Sequence, residues 1–233
     1  MRRRALVAAT VLLLALAAAA MLGAVGVAQS TGTEAPRAAS PTVTFELEWA
    51  EADPHWYQLS VDEAGNAEYK SLPKVGADET PGEAYVQRFT LTDKTRQRIF
   101  GLASAANQFA GDFAYKGSTR MAKTGEKTLR YENGGKVTST SFNYSENKNI
   151  MELVGVFQSI ATTVELGHEL RKARRFDKLG VDAILRRLED LYSSNNAIEI
   201  QAIAPVLQQI LDDRATMNMA RERAKSLLAS IGR

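Results

Sequence analysis

The chain has 233 residues with a formal net charge of +2 and contains no cysteine. This length accommodates one ordinary domain and an additional segment, and the absence of cysteine excludes disulfides, a thiolate nucleophile and lipid attachment through cysteine. The first 28 residues contain three arginines and no acidic residue, so the remainder has 26 basic and 27 acidic residues and a net charge of −1. The charge therefore gives no indication of nucleic-acid binding, and no nucleic-acid partner is expected.

The N-terminal segment predicts export. Arg2, Arg3 and Arg4 precede an almost wholly apolar run that ends near Ala28, which is the pattern of a secretory signal peptide. The same run is long enough to remain in place as a membrane anchor. In both cases the arginines favour the cytoplasmic side, so the rest of the chain is expected in the periplasm or outside the cell. Residues 29–41 are small, polar and contain proline, which predicts a flexible linker.

Four strands are predicted between residues 43 and 91, because apolar and polar side chains alternate there with a period of two. The first is VTFELEW, the second and third form a hairpin in YQLSVDEAGNAEY, and the fourth ends at Leu91. Thr92 stands where a helix cap is expected, and apolar residues continue at helical spacing as far as Phe109. The segment 111–127 has no clear period and is predicted to be a surface loop.

Residues 128–164 predict a hairpin followed by a long amphipathic helix. Two alternating segments flank Asn133-Gly134-Gly135, whose residues tolerate positive φ and allow a tight reversal. Ser145, Asn147 or Asn149 is expected to cap the helix. The helix carries an apolar stripe that needs a sheet face or another helix to cover it. The members of this stripe are Ile150, Leu153, Val154, Phe157, Ile160, Ala161 and Val164.

The sequence therefore predicts an α+β fold in two parts. Residues 42–176 are expected to form an antiparallel sheet of about five or six strands packed by two helices. From residue 177 the apolar spacing is helical throughout, with breaks at Asn195-Asn196 and Pro205. Residues 177–233 are expected to form a C-terminal helical hairpin or small bundle.

The order of the first unit resembles the exported α+β domain family DUF6438, a domain of unknown function. The resemblance covers residues 42–164 and is carried by VTFELEW, the YQLSVDEAGNAEY hairpin and the TLRYENGGKVTSTSFNY hairpin before a closing helix. It implies a small exported α+β domain. The family has no assigned activity, so the resemblance implies no catalytic residue and no cofactor.

Two motif matches are interpreted without a catalytic or metal function. Lys123-Thr124-Gly125 and Ser145-x-x-Lys148 are similar to motifs of penicillin-recognising serine enzymes, but they occur in the reverse order. Glu165-x-x-His168 has a spacing that places two metal ligands on one helix face, with Glu169 beside them. A di-iron bundle requires that motif twice, so a solvated polar helix face is the favoured interpretation. No metal, cofactor or catalytic residue is predicted.

A possible binding surface is assigned to five residues. His55 and Trp56 are an aromatic pair that could contact a sugar or peptide, although the start of a strand is the favoured interpretation. Arg171, Arg174 and Arg175 belong to a basic cluster that could meet an anionic surface, although a solvated helix end is favoured.

The leading functional hypothesis is a non-enzymatic binding or interaction module of the cell envelope. Its expected partner is another envelope protein or a second copy of the chain, bound through residues 177–233, and the membrane is contacted only by an uncleaved N-terminal segment. One alternative is a hydrolase that uses Asp112, Glu126 and Glu132 around the 111–127 loop. The other alternative is a structural tether held by an uncleaved leader.

Overall fold

One antiparallel sheet of six strands forms the first layer of the protein. The computed structural model describes residues 40–74 and 83–231, so the predicted export segment and nearly all of the linker lie outside the described residues. The strands are β1 (Thr42–Glu48), β2 (Trp56–Asp62), β3 (Asn66–Leu72), β4 (Tyr85–Thr90), β5 (Glu126–Asn133) and β6 (Lys136–Phe142). Their spatial order is β4-β3-β2-β1-β5-β6.

In the part of the chain that the structure describes, five α-helices follow or cover the sheet. They are α1 (Asp93–Ala105), α2 (Lys148–Phe176), α3 (Gly180–Ser193), α4 (Ala204–Asp212) and α5 (Asn218–Ala229). Short 3-10 helices span Asn107–Phe109 and Ile200–Ile203. These elements confirm the predicted α+β class, with helices α1 and α2 on the sheet and helices α3 to α5 in the C-terminal part.

Apolar and polar side chains alternate along each strand, and α2 covers the apolar face of the sheet that results. On β1, Val43, Phe45 and Leu47 are buried while the intervening residues are more exposed. The Phe157 ring of α2 stacks on the Phe45 ring at a centroid distance of 5.4 Å. The opposite face carries polar side chains, such as Glu46 opposite Gln58. The sheet is therefore covered by helices on its apolar face and bears polar residues on the other.

The predicted turns and caps are confirmed with one difference. Gly134 and Gly135 both have positive φ in the β5–β6 turn. The Asn147 side chain caps α2 by accepting hydrogen bonds from two backbone N–H groups at 3.0 and 3.2 Å. The helix predicted to reach Phe109 instead ends at Ala105, because residues 107–109 all have positive φ and cannot continue an α-helix.

Helix α2 takes part in two apolar cores. Its first half packs against the sheet and α1. Leu166 and Leu170, in its second half, pack in a core with residues of α3, α4 and α5. The approach is close at Gly167, where an added Cβ would lie 2.3 Å from a side-chain carbon of Ile203. The C-terminal helices are therefore packed directly on the helix that covers the sheet.

Helix α2 is also the one described helix that is long and apolar enough to cross a membrane by length and composition. Its most apolar 18-residue window is 61% buried inside the protein. The apolar character of α2 is therefore accounted for by the two cores that it joins.

Candidate functional site

A carboxylate from α2 is held by two hydroxyl groups of the sheet. Oε1 of Glu165 accepts a hydrogen bond from the Tyr69 hydroxyl at 2.7 Å and another from the Ser71 hydroxyl at 2.6 Å. Tyr69 and Ser71 are buried on β3. Burial, together with the nearby Glu165 carboxylate, raises the pKa of Tyr69 far above its ordinary value, so the phenol remains a neutral donor. The carboxylate is therefore fixed in position through one of its two oxygens.

A cavity of about 370 Å³ lies beside this carboxylate, between α2 and the start of β2. Tyr57, Tyr69 and Glu165 line it, together with polar residues of α2 and Arg187 of α3. Tyr57 is 7% exposed, and its hydroxyl makes no hydrogen bond with any residue that the structure describes. Burial first, and then the Glu165 charge, raises the pKa of Tyr57 above its ordinary value. The cavity thus combines a fixed carboxylate with a neutral, unpaired phenol.

A second polar cluster connects α2 with the edge strand β4. The His168 ring stacks on the Tyr85 ring at a centroid distance of 3.8 Å. Arg171 donates hydrogen bonds to the Tyr85 hydroxyl and, at 2.6 Å, to Oε1 of Gln87. The Gln87 side chain in turn donates to the Ala202 carbonyl at 2.7 Å. Burial lowers the pKa of His168, and the charge of a neighbouring lysine lowers it further.

Glu165 and His168 therefore contact different strands: Glu165 contacts β3 and His168 contacts β4. Both are partly buried between α2 and the sheet, so the expectation of a solvated polar helix face is wrong for these two residues. Within residues 40–74 and 83–231, no group of three His, Asp or Glu side chains could hold a metal ion. The spacing of Glu165 and His168 on α2 is explained by these two separate contacts, with β3 and with β4.

The five residues predicted as a binding surface occupy separate places. Trp56 alternates with the inward-facing Tyr57 and lies on the polar face of the sheet, opposite α2. His55 precedes it, and its Nδ1 lies 2.9 Å from the Pro73 carbonyl. Arg171 is used internally, since it bonds to Gln87 of β4. The five side chains do not form one continuous surface.

The two remaining arginines differ in exposure. Arg175 is exposed near the end of α2. Arg174 is partly buried, and its Nε is buried without a hydrogen-bond partner among the described residues. Of the predicted basic cluster, Arg175 is therefore the arginine most accessible to a partner.

The carboxylates of the hydrolase alternative are also dispersed. Asp112 pairs with Lys116 at 2.9 Å, and Glu132 pairs with Arg130 at 2.8 Å. Glu126 and Glu132 lie six residues apart on β5, which corresponds to about 20 Å along a strand. Paired carboxylates in glycoside hydrolysis lie within about 10 Å of each other, so these two cannot share one reacting bond.

A buried glutamate of the C-terminal part caps α1. Glu199 is 7% exposed and accepts hydrogen bonds from the Thr92 backbone N–H at 2.8 Å and the Thr92 hydroxyl at 2.7 Å. The Thr95 hydroxyl and the Gln201 side chain also donate to it. The carboxylate lies at the N-terminus of α1, where a negative charge is favourable. This contact ties the C-terminal part to the first unit.

An exposed apolar surface lies where the C-terminal helices begin. Phe176, the last residue of α2, is 84% exposed, and Leu179, the last residue of the link to α3, is 77% exposed. Nζ of Lys178, between them, pairs with Asp213 at 3.2 Å. This ion pair brings the α2–α3 link beside the α4–α5 link, in which Met217 is also exposed. We call the exposed residues Phe176, Leu179 and Met217 the junction surface.

Lys127 is buried without a carboxylate partner among the residues described here. It is 4% exposed on β5, and its Nζ lies between 2.9 and 3.2 Å from four oxygens, which belong to Thr124, Gly125 and Asn143. Burial lowers the pKa of this ammonium group. The hydrogen bonds of Lys127 thus connect the end of the 111–127 loop with the link between β6 and α2.

The substitution Lys127→Met tests this burial through the pH dependence of stability. A lysine in the unfolded chain has a pKa of about 10.4, so between the lowered folded-state pKa and this value the unfolded state binds more protons. The free energy of unfolding of the wild type should therefore rise with pH in that window, relative to Lys127→Met. Urea denaturation of both proteins at pH 7 and pH 10 measures the difference, and the exposed Lys123→Met is the control. An unchanged difference between the two pH values would contradict this expectation.

No model of a known protein family matches the chain, and no curated protein is significantly similar to it. The resemblance to DUF6438 therefore stays a prediction, and any proposal about function rests on the side chains of this chain alone.

Local sequence signals for the Glu165 site were few. Tyr57 and Tyr69 stand at inward-facing strand positions, where a buried aromatic residue is explained by core packing alone. Glu165 follows Val164 of the apolar stripe and precedes the buried Leu166. An acidic residue between two buried apolar residues of a helix could have indicated the site, because a buried glutamate almost always has a polar partner.

Proposed function

We propose that this protein is an exported, non-enzymatic interaction module that binds a second protein through the junction surface. The exposure of Phe176 and Leu179 carries the proposal. Burying a large apolar side chain contributes about 1.5–3 kcal/mol, and here two such side chains within four residues remain in contact with water. Contiguous exposed apolar residues rimmed by polar ones are typical of protein interaction sites.

The charges around the junction surface indicate the chemistry of the partner. Lys172 and Arg175 are exposed on the last turns of α2. The acidic residues of the two links have local partners, since Asp177 accepts from the Gly180 N–H at 3.0 Å and Asp213 pairs with Lys178. We therefore propose a partner protein with an apolar pocket and an acidic rim. Two copies of this chain would bring like charges together, which disfavours self-association.

The location proposed for this interaction is the cell envelope. It rests on the sequence of residues 1–28, with three arginines before the apolar run. N-terminal sequencing of the mature protein distinguishes a chain cleaved before Gln29 from a chain tethered by its leader. The interaction at the junction surface is compatible with both forms.

The double substitution Phe176→Ser and Leu179→Ser tests the docking surface. A photo-crosslinking amino acid at position 179 should form one discrete adduct with a protein in the cell envelope. Binding of that protein, once purified, to the double variant should be at least about tenfold weaker, because apolar anchors dominate interface energy. The melting temperature of the variant should change little, since both side chains are exposed.

The matched control for this experiment is the double substitution Val86→Ser and Val137→Ser. These valines are 43% and 45% exposed on the two edge strands β4 and β6, and neither belongs to the junction surface. The control should bind the purified partner as tightly as the wild type does. Equal binding by the junction variant, or an adduct that contains a second copy of this chain, would contradict the proposal.

A further inference from the structure

We propose that the cavity beside Glu165 binds the ammonium group of a small alkylamine or of a lysine side chain. The cavity lies between α2 and the start of β2, and it is distinct from the junction surface. The inference goes beyond the proposed protein interaction and does not depend on it. It is carried by the fixed carboxylate, the unpaired phenol of Tyr57 and the charge of the cavity lining.

The Glu165 carboxylate is already oriented for a cation. Its Oε1 accepts two hydrogen bonds from the sheet at 2.7 and 2.6 Å, while its Oε2 makes no hydrogen bond with a described residue. Since Glu165 lines the cavity, its second oxygen is available to a ligand. An ammonium group is a strong match, because charge-assisted hydrogen bonds are short and about twice as strong as neutral ones.

The Tyr57 hydroxyl provides the second polar contact. Tyr57 is 7% exposed and lines the same cavity. Its hydroxyl has no hydrogen-bond partner within the described part of the chain, and its oxygen is open to the cavity, since the buried side-chain polar atom without a partner there is Nε of Arg174. Its oxygen can accept one N–H of an ammonium group whose other N–H groups donate to Glu165. The phenol stays protonated, because burial and the Glu165 charge both raise its pKa.

The net negative charge of the side chains that line the cavity also favours a cationic ligand. Asp53, Glu165 and Glu169 line the cavity, with Arg187 as the one basic residue there among those described. Arg187 lies 3.9 Å from Glu169 at the edge of the cavity, which leaves two acidic groups uncompensated. An anionic ligand would meet repulsion from this lining.

The size of the cavity limits the ligand. A volume of about 370 Å³ is at the lower end of small-molecule sites, which span about 300–1,000 Å³. A short alkylamine fits this range, and so does the end of a lysine side chain from a peptide. The two sources share the ammonium headgroup and differ in the chain attached to it.

Isothermal titration calorimetry with two amine probes tests the site in the full-length protein. The probes are butane-1,4-diamine and Nα-acetyl-lysine N-methylamide, with 1-butanol as the neutral control. We expect one or both amines to bind with one-to-one stoichiometry and 1-butanol not to bind. Tighter binding of the diamine identifies a free polyamine as the source, and tighter binding of the lysine derivative identifies a peptide side chain. Binding of neither amine would overturn the proposal.

Two substitutions assign the binding to this cavity. Glu165→Gln keeps an oxygen that accepts from Tyr69 and Ser71 but removes the charge, so amine binding should weaken at least about tenfold. The control Glu68→Gln, on the polar face of the sheet, should bind like the wild type. Equal losses in both variants, or no loss in Glu165→Gln, would overturn the assignment.

Tyr57→Phe gives an independent test if the charge change disturbs folding. Because the hydroxyl has no partner among the described residues, its removal should weaken amine binding severalfold without lowering the melting temperature. Unchanged amine affinity in Tyr57→Phe would contradict the role of the phenol. The junction variant with Ser at positions 176 and 179 should bind the amine normally, so failure of one proposal is distinguishable from failure of the other.

Discussion

A chain that ends at Phe176 is expected to lose most of its stability, although it contains the whole sheet. The truncation exposes Leu166 and Leu170, which are buried against the C-terminal helices, at a cost of about 1.5–3 kcal/mol each. It also removes Glu199 from the start of α1 and the Ala202 carbonyl from Gln87. The sum is roughly 5 kcal/mol or more, which is comparable with the net stability of a typical domain, about 5–15 kcal/mol.

Thermal unfolding followed by circular dichroism measures this loss. The control is a chain that ends at Ile231, which retains every described helix and the Ile231 side chain that packs against their core, and it should melt like the full-length protein. A truncated chain that melts cooperatively at the wild-type temperature would show that the first unit is independent of the C-terminal helices. Because the truncation is expected to destabilise the sheet, point substitutions at the junction surface are the sharper test of docking.

The substitution Glu199→Ala is expected to lower the free energy of unfolding by about 1–3 kcal/mol. It leaves the Thr92 N–H and the Thr92 and Thr95 hydroxyls without the buried acceptor that they share. The Thr95 hydroxyl is buried, and an unsatisfied buried donor costs about 1–3 kcal/mol, whereas Thr92 is exposed and water can replace its acceptor. The loss of a negative charge at the N-terminus of α1 adds a smaller amount.

Urea denaturation at neutral pH measures the effect of Glu199→Ala. Glu222→Ala is the matched control, since its side chain is 72% exposed and pairs with Lys225 at the surface. We expect the control to change the free energy of unfolding by less than about 0.5 kcal/mol. Similar values for the two variants would mean that the Glu199 contacts do not stabilise the fold.

Local patterns were sufficient to predict the elements of this fold. The strand alternation, the Asn133-Gly134-Gly135 turn and the Thr92 cap each depend on neighbouring residues, and each is confirmed. The position at which α1 ends was missed, since the helical spacing continues to Phe109 while the backbone does not.

The contacts that define the candidate site could not be predicted from local patterns. Tyr69 and Glu165 are 96 residues apart, and Thr92 and Glu199 are 107 residues apart. Each pair consists of ordinary residues whose partners are decided by the packing of α2 and the C-terminal helices. In the sequence alone, Glu165 and Glu199 have the features of solvent-exposed acidic residues. The exposure of Phe176 could not be predicted either, because its position does not depart from the helical spacing of apolar residues.

The order of the strands and helices has a consequence for how the protein is made. Strand β1 lies between β2 and β5, so it has no second neighbour until residue 133 has left the ribosome. The core around Leu166 and Leu170 of α2 includes Leu227 of α5, so it cannot close before residue 227 has been synthesised. Non-local pairing of this kind delays folding. A nascent chain of this protein is therefore expected to complete its tertiary structure only after the C-terminal helices have been made.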